Sequence, residues 1–248
     1  MNKISKKFNF EFVFRNIISN VFIAIILVST FMIALFENKD KTVMASNSEY
    51  NGTIYAGDKS SDKVSLMVNV YWGTEYVVQM LEIFKENNIK TTFFIGGVWA
   101  EKNPDVLKQI HADGHEIASH GYSHKEQGKF GYQENFEEIN KCHLIIKDIL
   151  KIDMNLFAPP GGSYNKHTTS VASALGYKTI MWTRDTIDWR DQNESLIYNR
   201  AVSGMQGGDL ILMHPTKCTV SALHKVINYV KNNQLKITTV SDVIWLKC

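Results

Sequence analysis

The sequence predicts an α/β domain on a mostly parallel sheet, curled into a closed or nearly closed barrel and preceded by one N-terminal transmembrane helix. Three observations predict the barrel. From Val64 onward, β-branched apolar runs alternate with stretches of helical period. Repeated strand–helix units need crossover connections, which give a parallel sheet covered by helices. About seven strands fit the chain, and polar residues collect at their C-terminal ends, where a barrel carries its chemistry.

The elements follow in order. Residues 17–36 read IISNVFIAIILVSTFMIALF, with no charge between Arg15 and Glu37. Such a run, at ~1.5 Å per residue, spans a ~30 Å hydrocarbon core. Within residues 1–16, Lys3, Lys6, Lys7 and Arg15 face only Glu11, which holds this tail in the cytoplasm and sends the rest outward. A cleaved signal peptide competes, with Val43-Met44-Ala45 as a loose cleavage site. Ala45 lies well beyond the apolar run, so an uncleaved anchor is favoured. The expected location is the cell membrane, single-pass with the domain outside the cytoplasm, or secretion if the segment is cleaved. Residues 37–62 are polar and aperiodic and read as a tether. The folded domain is expected over residues 63–248.

Within it, strands are predicted over 64–71, 90–96, 115–119, 154–158, 178–182, 209–214 and 236–240. Helices are predicted over 76–85, from Asn103-Pro104 to Gly114, and over 133–150, 167–175, 195–205 and 221–232. The 248 residues are 44% apolar and 21% charged, suited to one compact domain. A formal net charge of +2 gives no basic face for nucleic acid. Cys142, Cys218 and Cys248 are too scattered for a disulfide framework or a cysteine zinc site. Nothing in the sequence sets an oligomeric state.

Four strand ends carry the candidate chemistry. Ser119-His120-Gly121-Tyr122-Ser123-His124 sets two imidazoles four apart, able to converge on a borderline-soft metal such as zinc. Two ordinary loop histidines would look the same. His111 and His115 read as structural. Phe157-Ala-Pro-Pro-Gly-Gly162 makes an extended segment and a sharp turn, a pocket wall or simply a rigid loop. Residues 181–191 set Asp185, Asp188 and Asp191 among the aromatics Trp182 and Trp189, a solvated turn or an aromatic platform for a sugar ring. The apolar strand Leu210-Ile-Leu-Met-His214 delivers a histidine to its end.

Taken together and in this order, these segments resemble the polysaccharide deacetylases, carbohydrate esterase family 4, over about residues 63–245. Ser119-His120-Gly-Tyr-Ser-His124 is similar to the family's metal-binding motif, and Leu210-Ile-Leu-Met-His214 to the motif of the general-acid histidine. Pro159-Pro160 with Gly162, and Asp188-Trp189, match two further motifs; Asp113-Gly-His-Glu-Ile117 matches the family's approach to the histidines. The resemblance implies a distorted (β/α)7 barrel and a metal-dependent hydrolytic N-deacetylation of an N-acetylated cell-wall glycan. Peptidoglycan or a related N-acetylglucosamine polymer is the substrate this implies outside the cytoplasm. A divalent metal, commonly zinc, would polarise the acetamide and a water. An aspartate would take the water's proton, and His214 would protonate the departing amine.

One motif departs. Where the family reads Thr-Phe-Asp-Asp-Gly, this chain reads Met67-Val68-Asn69-Val70-Tyr71-Trp72-Gly73. The base position is therefore Asn69 and the aspartate-ligand position Val70; an amide does not accept a proton at neutral pH, and valine binds no metal. The arginine that orients the base is Ala158. The resemblance leaves His120 and His124 as metal ligands for a weakly held zinc. His214, Asp188, Asp185 and Asn69 are the catalytic candidates, with Glu75 as a further possible base. Trp72, Pro160, Gly162, Trp182 and Trp189 are the substrate-binding candidates. Three functions follow: a deacetylase with a rebuilt site, a catalytically inactive carbohydrate-binding pseudoenzyme, or a membrane-tethered partner-binding module.

Overall fold

The structure, a computed structural model, describes residues 52–244. The predicted anchor over 17–36 lies outside them, as do the cytoplasmic tail and most of the tether. Among the described residues, no helix is long and apolar enough to cross a membrane.

Parallel strands make one sheet. In chain order they are β1 (Thr53–Ile54), β2 (Lys63–Val70), β3 (Thr92–Ile95), β4 (Glu116–Ser119), β5 (Leu156–Phe157), β6 (Lys178–Ile180), β7 (Arg184–Asp185), β8 (Leu210–Met213) and β9 (Lys236–Ile237). Their spatial order is β1-β6-β5-β4-β3-β2-β8-β7, with β9 added to the start of β2. The helices are α1 (Thr74–Glu86), α2 (Gly97–Lys102), α3 (Pro104–Ala112), α4 (Tyr132–Leu150), α5 (Lys166–Ala174), α6 (Glu194–Val202), α7 (Lys217–Asn232) and α8 (Val240–Ile244). Strand–helix alternation thus gives the parallel sheet expected, but not its closure. The order leaves β1 and β7 as the two edges, so the sheet is a curled half-barrel.

Period-two alternation sorts β2 between two cores. Leu66, Val68 and Val70 turn toward the helices and join Val77, Phe84, Phe93 and Val226 in the larger cluster. Met67 turns the other way, into a smaller cluster with Phe94, Ala118, Leu156, Ile180 and Leu210, closed by Val240 and Val243 of α8. Val70 therefore belongs to the helix-side core, and Asn69 to the concave side.

Several boundaries differ from expectation. The folded domain begins ahead of Lys63: Thr53 is buried and registers with Thr179 of β6, and the Gly57 N–H donates to the Gly208 carbonyl at 2.8 Å. A two-residue strand carries no period to detect. The same shortness hides β7, which is held by Arg184. Its Nε donates to Asp209 at 2.7 Å, and its other nitrogens donate to the Ser203 and Gly204 carbonyls. Helix α7 starts four residues before the predicted Ser221, because Thr216 caps it by accepting the Thr219 N–H at 3.1 Å. His115 is structural, as read: it is buried against Phe84 and Phe93, and its Nδ1 accepts the Thr91 N–H.

Candidate active site

At the C-terminal ends of the strands lies a cleft of about 270 Å³, lined by Asn69, Trp72, His124, Gly161, Trp182, Asp185, Trp189, Leu212 and His214. Six strand ends contribute. Asn69 is the last residue but one of β2, His124 follows β4, Gly161 follows β5, Trp182 follows β6, Asp185 closes β7, and His214 follows β8.

The His120–His124 loop is fixed from two sides. Glu138 of α4 accepts the Tyr122 and Ser123 N–H groups at 3.2 and 2.8 Å and also the Ser123 hydroxyl. Tyr71 donates its hydroxyl to the Ser123 carbonyl and lays its ring 4.8 Å from that of His124. Gly121 sits at φ +69°, and a Cβ there would meet the Gln127 side chain at 2.6 Å, so this turn needs glycine. His124 itself takes φ 57°, a left-handed value that costs a non-glycine residue about 1 kcal/mol or more and is held by this scaffold.

Within the loop, His120 donates Nδ1–H to the Ala158 carbonyl at 2.8 Å, which leaves Nε2 as the bare lone pair. Burial pushes its pKa down to about 3, so the ring is neutral. His124 is lowered too, by burial and then by His214. The two ring centroids lie 5.1 Å apart.

His214 is set by a different scaffold. Asp188, fully buried, takes His214 Nδ1–H at 2.8 Å on one oxygen. Its other oxygen accepts the His214 backbone N–H and the Thr219 hydroxyl, each at 2.6 Å. That carboxylate is saturated and does not line the cleft. Asp188, one of three candidates for a replacement base with Asp185 and Glu75, is a positioning residue for His214. Ile187, at φ 52°, makes the turn that separates it from Asp185. Asp185 does face the cleft; its Oδ1 accepts the Ile187 N–H at 2.8 Å, and burial raises its pKa.

Aromatic walls complete the site. Trp72 stacks on His214, with centroids 5.4 Å apart and 10° between planes, and meets His124 edge-on at 6.0 Å. Trp189 is 54% exposed. Pro160 and Gly162 were expected to touch substrate; the cleft is lined by Gly161 instead. Pro160 is buried, and Gly162 packs behind Trp182, where a Cβ would approach the indole to 2.9 Å. Glu75 is exposed in the first turn of α1 and does not line the cleft.

The polysaccharide deacetylase family model matches residues 56–180. The chain belongs to that family. Its members, carbohydrate esterase family 4, are hydrolases acting on N-acetyl amide bonds and are generally metal-dependent. Among relatives, a Bacillus subtilis protein described only as uncharacterized protein YlxY is 35% identical, over 77% of this chain and 60% of its own length. A Bacillus cereus peptidoglycan-N-acetylglucosamine deacetylase is 28% identical over 76% of this chain and 70% of its own. The chain thus spans less than two thirds of the first of these. Among solved structures, Bacillus anthracis BA3943, titled a family 4 pseudoenzyme, is 31% identical with a TM-score of 0.75, covering 80% of this chain and 69% of that one. A BA3943 mutant titled as having restored enzymatic activity is 30% identical with the same TM-score, over 80% of this chain and 72% of that one.

The family's metal does not fit the donors present. Among the described residues, no three His, Cys, Asp or Glu side chains come together to hold an ion. His120 and His124 have the neutral state a ligand needs, but the third position is Val70, fully buried in the helix-side core. The zinc expected from the resemblance therefore has two imidazoles and no carboxylate. Tyr71, Glu138 and Thr219 were missed from the sequence. Each acts through a contact distant in sequence, and only Thr219, three residues after its cap Thr216, left a local signal.

Proposed function

We propose that this domain is a non-hydrolysing receptor for cell-wall glycan of the peptidoglycan type. The observation that carries the proposal is the end of β2: Asn69 faces the cleft where the family has its base, and Val70 is withdrawn into the core. Hydrolysis needs a water stripped of its proton and a polarised carbonyl. An amide at Asn69 accepts no proton, and among the described residues no third ligand joins the histidines to hold a metal. The Asp188–His214 pair can give a proton to a leaving amine, but only after a tetrahedral adduct exists, and neither the base position nor the ligand position of β2 carries the carboxylate that would help form it. What remains is a sugar-sized groove walled by Trp72, Trp182 and Trp189, whose rings suit the apolar faces of pyranoses. Likeness to a pseudoenzyme at 31% identity supports this reading. We further propose that the receptor works outside the cytoplasm, held to the membrane by residues 17–36.

A working deacetylase is the second reading, and Asp185 favours it. Its carboxylate shares the cleft with His214, and burial moves its pKa toward the range of a general base.

Acetate release from peptidoglycan and N-acetylglucosamine oligomers, with zinc or cobalt added, separates the two. The receptor reading expects binding without release, and release once Asn69→Asp, Val70→Asp and Ala158→Arg are combined. Release by the wild type that Asp185→Asn and His214→Ala each abolish overturns it in favour of the deacetylase. Absence of glycan binding overturns both and points to the partner-binding module. Recovery of the full chain wholly in the cytosol would overturn the membrane attachment.

A further inference from the structure

The receptor reading leaves open which form of the sugar is recognised, and the cleft's own chemistry addresses that. Asn69 is 3% exposed, lines the cleft, and its Oδ1 has no hydrogen-bond partner. A buried acceptor left empty costs ~1–3 kcal/mol, so it calls for a donor from a ligand. Asp185 lines the same cleft, with Oδ1 on the Ile187 N–H. Behind His214 stands a second carboxylate, Asp188. No lysine or arginine lines the cleft among the described residues. Arg200, the guanidinium that acts on Asp185, is engaged by Asp191 at 2.7 Å and by the Thr186 carbonyl. The third wall is indole: Trp72, Trp182 and Trp189.

From this we infer that the cleft selects glycan units whose 2-amino group is free, glucosamine rather than N-acetylglucosamine. The inference rests on the receptor reading and narrows it to one ligand class. A protonated amine carries three N–H donors and a charge. It can give one hydrogen to Asn69 Oδ1 and one to Asp185, while a tryptophan face receives the cation. An acetamide offers one N–H and brings a carbonyl that needs a donor. Here that carbonyl meets neither a guanidinium nor a three-ligand metal, and its group adds no charge to offset Asp185. Loss of the metal ligand at Val70 and a preference for a cationic ligand are then linked. A negative cleft lacking a bound dication is balanced by an organic cation instead. The chain's formal charge of +2 argues against mere long-range attraction of a cationic polymer.

The test is calorimetric titration of the domain, in metal-free buffer near pH 6, with fully deacetylated and fully acetylated glucosamine oligomers of equal length. The expected result is at least about tenfold tighter binding of the deacetylated oligomer, the scale of one charge-assisted hydrogen bond or cation–π contact. That preference should collapse in Asp185→Asn, a near-isosteric change whose fold is checked by thermal unfolding, and shrink in Trp189→Ala, an exposed position that does not risk the core. Equal or tighter binding of the acetylated oligomer overturns this inference and leaves the receptor reading standing. A preference that survives Asp185→Asn overturns the residue assignment. Binding of neither oligomer overturns the receptor reading itself.

Discussion

Two sides of one cleft have had different fates. On the β4 and β8 side, His120, His124 and His214 each keep a defined tautomer or a tight scaffold: the Ala158 carbonyl for His120, Glu138 and Tyr71 around His124, and the saturated Asp188 for His214. On the β2 side, Asn69 has an unpartnered oxygen and Val70 is packed as core. The difference teaches that the supports of a site and its reactive groups are held by separate interactions. Losing two carboxylates at a strand end releases no buried partner from the histidine side, so that side keeps its order.

The comparison can be broken at its weak point first. Val70→Asp puts a carboxylate into an apolar core and is expected to cost about 3–5 kcal/mol without metal. If the histidines are still poised for an ion, zinc at about a hundred times its Kd should return ~2.7 kcal/mol. Chemical denaturation with and without zinc reads both; a variant indifferent to zinc would mean that the histidine side has lost its function too. Next, Asp188→Asn removes the charge that three donors address and is expected to cost about 2–3 kcal/mol. The same urea titration reads it, and a loss under 1 kcal/mol would show that the His214 scaffold is as relaxed as the β2 end.

A smaller effect concerns His115, away from the cleft. Burial holds its folded pKa at about 4 against an ordinary 6.5, so the unfolded chain binds the extra proton between those values. Its contribution is complete above about 6.5 and is lost as pH falls from there toward 4. Urea midpoints should drop from pH 7 to pH 5, and the drop should flatten in His115→Asn. Smallest is Trp189→Ala, exposed and on the rim, which should leave stability within about 0.5 kcal/mol while weakening glycan binding. A large loss of stability there would make the tryptophan part of the fold rather than of the groove.

How far the site was legible depended on where each contact is made. His120, His124 and His214 could be read because each follows a strand of recognisable period, and the changes at Asn69, Val70 and Ala158 could be read as departures from the family's motif. The division of labour between Asp185 and Asp188 could not. Both lie in one short acidic stretch, and only the left-handed turn at Ile187 sends one to the cleft and the other under His214. Barrel closure was misjudged for a similar reason. Counting strands says nothing of which edges meet, and the two edge strands are two residues each.

Ala158 carries one more consequence. Its missing guanidinium reads as a lost part, yet its carbonyl still fixes the His120 ring at 2.8 Å. Every amino acid brings the same carbonyl, so a side-chain exchange at 158 leaves that contact in place as long as the backbone keeps its course. A position can in this way retire from chemistry and stay employed in alignment. Half of what it does is written in an alphabet where all twenty letters are spelled alike.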